Sequence, residues 1–89
     1  MADVEIYTRM LCGYCVSAKA LLKRKGVAFK EFDASFDASR RREMIARTGG
    51  PATFPQVFIG GRHVGGCDDL HALDRRGELD RLLNGGAPA

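Results

Sequence analysis

The stretch "VEIYTRMLCGYCVSAKALLK", Val4 to Lys23, joins the two signals that decide the fold. Val4 to Tyr7 alternates apolar and polar residues and is rich in strand formers, which predicts a short half-buried strand. From Tyr14 to about Lys25, Cys15, Ala18, Leu21 and Leu22 recur at helical spacing, which predicts a helix stopped by Gly26. Cys12 lies just past the strand, and Cys15 follows it across Gly13 and Tyr14.

Outward from that stretch, "VAFKEFD", Val27 to Asp33, reads as a second strand, and "SRRREMIARTGG" as a second helix ending at Gly49 or Gly50. "PATFPQVFIGGRHVGG" carries a proline-bounded loop, a β-branched and aromatic run from Val57 to Ile59, and a Gly60-Gly61 turn before "RHV". That is a hairpin signal. "CDDLHALDRRGELDRLL" returns to helical spacing, with Leu79, Leu82 and Leu83 as a last turn against the core. Two parallel strands need a crossover helix, and a hairpin is antiparallel. The expected fold is therefore α/β, a four-stranded mixed sheet flanked by helices in the order β-α-β-α-β-β-α. One domain is expected over residues 1–84, followed by a frayed tail, residues 85–89.

With 89 residues there is apolar interior for one core. Hydrophobic residues make up 45% of the chain, yet no run approaches the roughly 20 apolar residues of a membrane helix, so no membrane role is expected. The opening "MADVEIYT" lacks the basic and apolar regions of a secretory signal, which makes the cytoplasm the expected compartment. The net charge of +3 is modest. The run Arg40 to Arg42 has no interleaved aromatics and reads as a solvated helix face, so no nucleic-acid partner is expected.

Three cysteines are too few for a disulfide framework, and in a reducing compartment such cysteines are more often catalytic or metal-binding. A cysteine attacks as its thiolate, and a helix start favours that form with unpaired N–H groups and a partial positive charge. Cys12 is therefore the expected attacker, and Cys15, almost a turn further in, the resolving thiol. Arg9 either adds positive charge beside the thiolate or is an ordinary surface arginine. Two rivals stand beside the redox pair. One is a zinc site completed by Cys67 and His71, and the other is a pair of structural thiols. The stretch Gly65-Gly66-Cys67-Asp68-Asp69 allows a close backbone approach at Gly66 and exposes N–H groups at a helix start. Its aspartates also suit N-terminal capping.

The CGYC after the first strand, "TFPQVFI" before the hairpin and "GGCDDL" opening the last helix together resemble the glutaredoxins, small members of the thioredoxin-like superfamily. The resemblance runs from about Val4 to Leu83. It implies a glutathione-dependent thiol–disulfide oxidoreductase that reduces protein disulfides and glutathione mixed disulfides through Cys12 and Cys15. It also implies that Pro55 is cis, and that Thr53, Phe54 and Pro55 present a backbone edge to glutathione. By the same resemblance, the Cys67 and Asp68 backbone beside Gly66 holds the γ-glutamyl carboxylate, and Asp68 or Asp69 its amino group. Arg9 and Arg41 then face the glycyl carboxylate, and Tyr14 flanks the sulfur. The implied partners are glutathione and disulfide-containing or glutathionylated proteins, met by a monomer. Gly13 stands where the commonest dithiol motif of the family has proline. Motifs without that proline go with glutathione-ligated [2Fe-2S] clusters, for which Cys12 is the protein ligand and the state is a dimer.

Overall fold

The computed structural model describes residues 2–85. β1 (Val4–Thr8), α1 (Gly13–Arg24), β2 (Lys30–Asp33) and α2 (Ala38–Thr48) are followed by the hairpin β3 (Gln56–Ile59) and β4 (Arg62–Gly65). α3 (Cys67–Arg75) and α4 (Leu79–Leu83) complete the order. Strands lie as β2-β1-β3-β4, with β1 parallel to β2 and antiparallel to β3, and β3 antiparallel to β4. The mixed four-stranded sheet is the one the sequence predicts. The last leucines form a helix of their own rather than a final turn of α3, because the chain breaks at Gly77, whose φ is 74°. Apart from Gly85, the tail expected over 85–89 lies outside the described residues.

β1 differs from the half-buried strand predicted, for it is central and covered on both faces. Val4 and Ile6 join Val57 and Ile59 against Ala18, Leu21 and Leu22 of α1 and Leu70 of α3. Tyr7 points the other way, into a smaller cluster with Phe58 and with Met44 of α2. Burying a tyrosine costs free energy unless its hydroxyl is paired. Here it donates to Glu43 and accepts from Arg47 at 2.9 Å. Arg47 also donates to Glu5 at 2.8 Å and lies 4.0 Å from the centre of the Phe58 ring. This network, spread over three elements, ties α2 to the sheet.

The strand read over Val27 to Asp33 ladders only from Lys30, where pairing with Glu5 of β1 begins. Val27 and Phe29 instead pack sideways on the core. At the far end of β1 the buried Thr8 hydroxyl donates to Glu31 at 2.7 Å, and Lys19 of α1 approaches the same carboxylate at 3.0 Å. No helix among the described residues is long and apolar enough to cross a membrane.

These pairings set an acid sensitivity. The Thr8 hydroxyl holds the Glu31 carboxyl below its ordinary value, and the Tyr7 hydroxyl does the same for Glu43. A carboxyl depressed on folding stabilises the fold above its unfolded pKa, and that stability is lost as pH falls through the folded value. Acid unfolding followed by circular dichroism should therefore show wild-type stability falling below about pH 4.5. Glu43→Gln should start less stable at neutral pH and lose less on acidification.

Candidate active site

The link from β1 to α1 builds the thiol pair. Cys12 is the N-cap of α1, with extended backbone, and its Sγ accepts the Cys15 N–H at 3.2 Å. Negative charge carried by that sulfur before it attacks, and developing on it again as it departs, thus meets an N–H that no helical carbonyl claims. The thiol lies 4.0 Å from the Phe54 carbonyl oxygen across the site. Cys15 is only 2% exposed, on the buried face shared with Ala18, Leu21 and Leu22. Burial, and then the hydrogen bond with Cys12, push its thiol up to about 12, against the hydrogen bond from the Arg9 backbone. Cys15 is therefore held as a protonated thiol behind Cys12, and it is the less exposed of the two, as the sequence predicts.

Gly13 is the first residue of α1, and a Cβ built there meets nothing within 4 Å. Proline suits that position, since its missing N–H would be an orphan in any case. Gly13→Pro should fold normally and raise stability by roughly 0.4–1 kcal/mol, read as a higher thermal midpoint. A lower midpoint would show that the loop needs glycine.

A shallow cleft of about 210 Å³ adjoins the pair. One wall is Thr53, Phe54 and Pro55, joined by the cis peptide bond before Pro55, and the other is Gly66, Cys67, Asp68 and Asp69. Tyr14, 66% exposed, also lines it. The walls meet where a Cβ on Gly66 would stand 3.3 Å from the Pro55 carbonyl oxygen. Behind them stands Gly65, whose role no local sequence pattern announces. Its φ is 123°, and a Cβ there would lie 2.2 Å from Asp69 Oδ2. That space lets Asp69 accept the Gly66 N–H at 3.1 Å and cap α3. Asp68 makes no hydrogen bond or ion pair among the described residues and is exposed at the rim. Only the adjacent glycine pair in "GGCDDL" could have signalled this packing.

Two expected residues stand apart. Arg9 is exposed and acts on Cys15 by backbone and charge but does not line the cleft, and Arg41 is exposed on α2. The four residues of the zinc alternative are not gathered into a site. His71 bonds Ser17 at 3.1 Å, and among the described residues no three His, Cys, Asp or Glu side chains form a metal-binding group. His63 is half-buried and bonded to Gln56 at 2.6 Å. A larger hollow of about 900 Å³ lies at the other end of the sheet, where β1 begins. It holds no thiol or histidine, so its size says nothing of the chemistry.

The family model described as Glutaredoxin matches residues 4–64. Over 83 residues, 93% of this chain and 99% of the relative, the sequence is 58% identical to Glutaredoxin 3 of Escherichia coli strain K12. The chain belongs to the glutaredoxin family. Among solved structures, the glutaredoxin of Brucella melitensis is 57% identical with a TM-score of 0.85, over all of this chain and 96% of that one. The buckwheat glutaredoxin–glutathione complex has the same TM-score of 0.85 at 29% identity, over 94% of this chain and 78% of that one. The fold is thus the thioredoxin-like glutaredoxin fold, and the activity is that of a glutathione-dependent thiol–disulfide oxidoreductase. In this glutaredoxin Cys12 and Cys15 stand close together, consistent with a redox-active dithiol pair.

Proposed function

We propose that the cleft beside Cys12 binds glutathione as an extended tripeptide and that this glutaredoxin reduces both protein disulfides and glutathione mixed disulfides. The carrying observation is the single cleft in which Phe54, the cis Pro55 and the start of α3 face one another next to the Cys12 thiol. Backbone edges pair extended peptides well, so Phe54 takes the cysteinyl residue of glutathione. The N–H groups of Cys67 and Asp68 open α3 and receive the γ-glutamyl carboxylate. Asp68 takes its amino group, since Asp69 is committed to the cap. Arg9, with Arg41 as the more remote helper, draws the glycyl carboxylate.

With a glutathionylated protein, Cys12 attacks the glutathione sulfur, forming a Cys12–glutathione disulfide and releasing the protein thiolate. A second glutathione thiolate attacks that disulfide, giving glutathione disulfide and restoring the Cys12 thiolate. With a protein disulfide, Cys12 forms the mixed disulfide, and Cys15 gives up its proton and displaces the protein thiol to close Cys12–Cys15. Two glutathiones then reopen the pair. The reducing cytosol is where such a cycle is sustained.

Asp68→Asn should raise KM for glutathione about tenfold with kcat nearly unchanged, the loss of one charge-assisted hydrogen bond. Asp69→Ala should instead cost about 1 kcal/mol of stability, as a lost cap. Steady-state kinetics and thermal melts on the two variants separate the roles. The reverse pattern would exchange the assignments.

A second reading, a glutathione-ligated [2Fe-2S] carrier, is favoured by the open space above Gly13. One chain offers Cys12 as its only ligand, so Cys12 of two copies and two glutathiones would hold the cluster, which would supply electron storage or delivery to another protein. Anaerobic reconstitution with iron, sulfide and glutathione should then give a coloured dimer. A colourless monomer would remove this reading.

A further inference from the structure

The large hydrophobic side chains exposed among the described residues are Met10, Leu11, Tyr14, Val16 and Phe36. Four of them fall in the seven positions around Cys12, and Phe36 shares a cleft of about 330 Å³ with Met10. Leu11 is 95% exposed and Phe36 is 90% exposed. Scattered exposed apolar residues need no explanation, but a set concentrated in the segment around the Cys12 thiol marks a contact surface. Leu11 carries a second cost. Its φ is 55°, a left-handed conformation that a leucine adopts only under strain. The surface is also held in shape: the Met10 N–H donates to Ser35 Oγ at 2.7 Å, and the Ser35 N–H donates to Asp33 at 2.9 Å. Strain and exposure coincide at Leu11, the residue preceding Cys12, and the bracing falls on its neighbour Met10.

Asp33 and Asp37 complete the Met10–Phe36 cleft, and neither makes an ion pair among the described residues. Asp37 uses one oxygen to cap α2 through the Arg40 N–H, at 3.0 Å. Glutathione has no large apolar side chain to place on Leu11 and Phe36 and no cation beside one to meet these carboxylates. We infer that Met10, Leu11 and Phe36, with Asp33 and Asp37, form a docking surface for protein substrates in which an apolar residue and then a lysine or arginine follow the reacting cysteine. The inference rests on the glutathione-dependent cycle proposed above and adds the class of protein substrate it prefers.

The test compares kcat/KM for three peptide–glutathione mixed disulfides, with Cys-Leu-Lys, Cys-Leu-Glu or Cys-Ser-Ser at the reacting site, and for the mixed disulfide of glutathione with 2-mercaptoethanol. Wild type should prefer the Leu-Lys peptide about tenfold over Ser-Ser, the scale of one well-seated apolar side chain. The Leu11→Ser/Phe36→Ser double variant should lose that preference while turning over the 2-mercaptoethanol substrate within about twofold of wild type. Asp33→Asn/Asp37→Asn, which keeps a capping side chain, should abolish discrimination between Leu-Lys and Leu-Glu. Leu11→Gly should raise the unfolding midpoint and weaken the Leu-Lys preference, a combination that a purely structural role would not produce. Equal turnover of all three peptides by wild type, or a preference surviving in the double variant, would overturn the docking surface. So would a wild-type dimer that sediments as a monomer once Leu11 and Phe36 are replaced, which would assign the surface to a second copy. Failure of wild type on the 2-mercaptoethanol substrate would instead strike the glutathione-dependent cycle itself.

Discussion

Exchange of Cys12 for serine is expected to lower turnover of a glutathionylated substrate by a factor on the order of 10³ or more, whereas Cys15→Ser keeps most of it. The hydroxyl keeps the acceptor position at the α1 N-cap, where Cys12 Sγ now receives the Cys15 N–H at 3.2 Å, so the fold should persist. What it cannot do is form a disulfide, and without that bond the glutathione unit has nowhere to go. Cys15 cannot take over, because it is only 2% exposed and burial keeps it protonated, with its thiol near 12. On a protein disulfide the outcome differs. Both serine variants should fail there, Cys15→Ser because the mixed disulfide with Cys12 has no internal thiol to resolve it. Initial rates with the two substrate types check this. Substantial activity of Cys12→Ser on the glutathionylated substrate would reject Cys12 as the nucleophile.

The second large effect is structural and falls on Gly65. Gly65→Ala should destabilise the protein by about 2–4 kcal/mol, the sum of a strained backbone and a lost helix cap. The strain follows from φ of 123°, and the clash from a Cβ placed 2.2 Å from Asp69 Oδ2. If Asp69 swings away, the Gly66 N–H loses its 3.1 Å partner and the start of α3 loosens. Because Cys67 and Asp68 open that helix beside the cleft, affinity for glutathione should fall together with stability. For a chain of this size the thermal midpoint should drop by at least about 8 °C. A midpoint unchanged within error would mean that the backbone at Gly65 relaxes without disturbing the cap.

Local signals carried the order of elements. Ala18, Leu21 and Leu22 recur at the helical period, Gly49 ends α2 with φ of 79°, and Gly60-Gly61 turns the hairpin. The place of Cys12 at the start of α1 was legible for the same reason, since a helix start depends on a few neighbouring residues. Contacts between distant residues were not legible. Nothing near Tyr7 announces that Glu43 and Arg47 will satisfy its hydroxyl, so a strand buried on both faces looked half-buried. The sequence pattern places a close approach at Gly66 and gives Gly65 no role, yet the space beside Gly65 is filled by Asp69. The two aspartates of "GGCDDL" were equivalent in sequence. They separate only in three dimensions, where Asp69 turns back onto the Gly66 N–H.

Glutathione is expected to bind covalently at Cys12 and not at Cys67, which is buried at the start of α3. Cys15→Ser should be incubated with glutathione disulfide, digested without reduction and mapped by mass spectrometry. One glutathione per chain, on the peptide containing Cys12, is the predicted result. A glutathione on Cys67 with Cys12 unmodified, or no adduct at all, would contradict it.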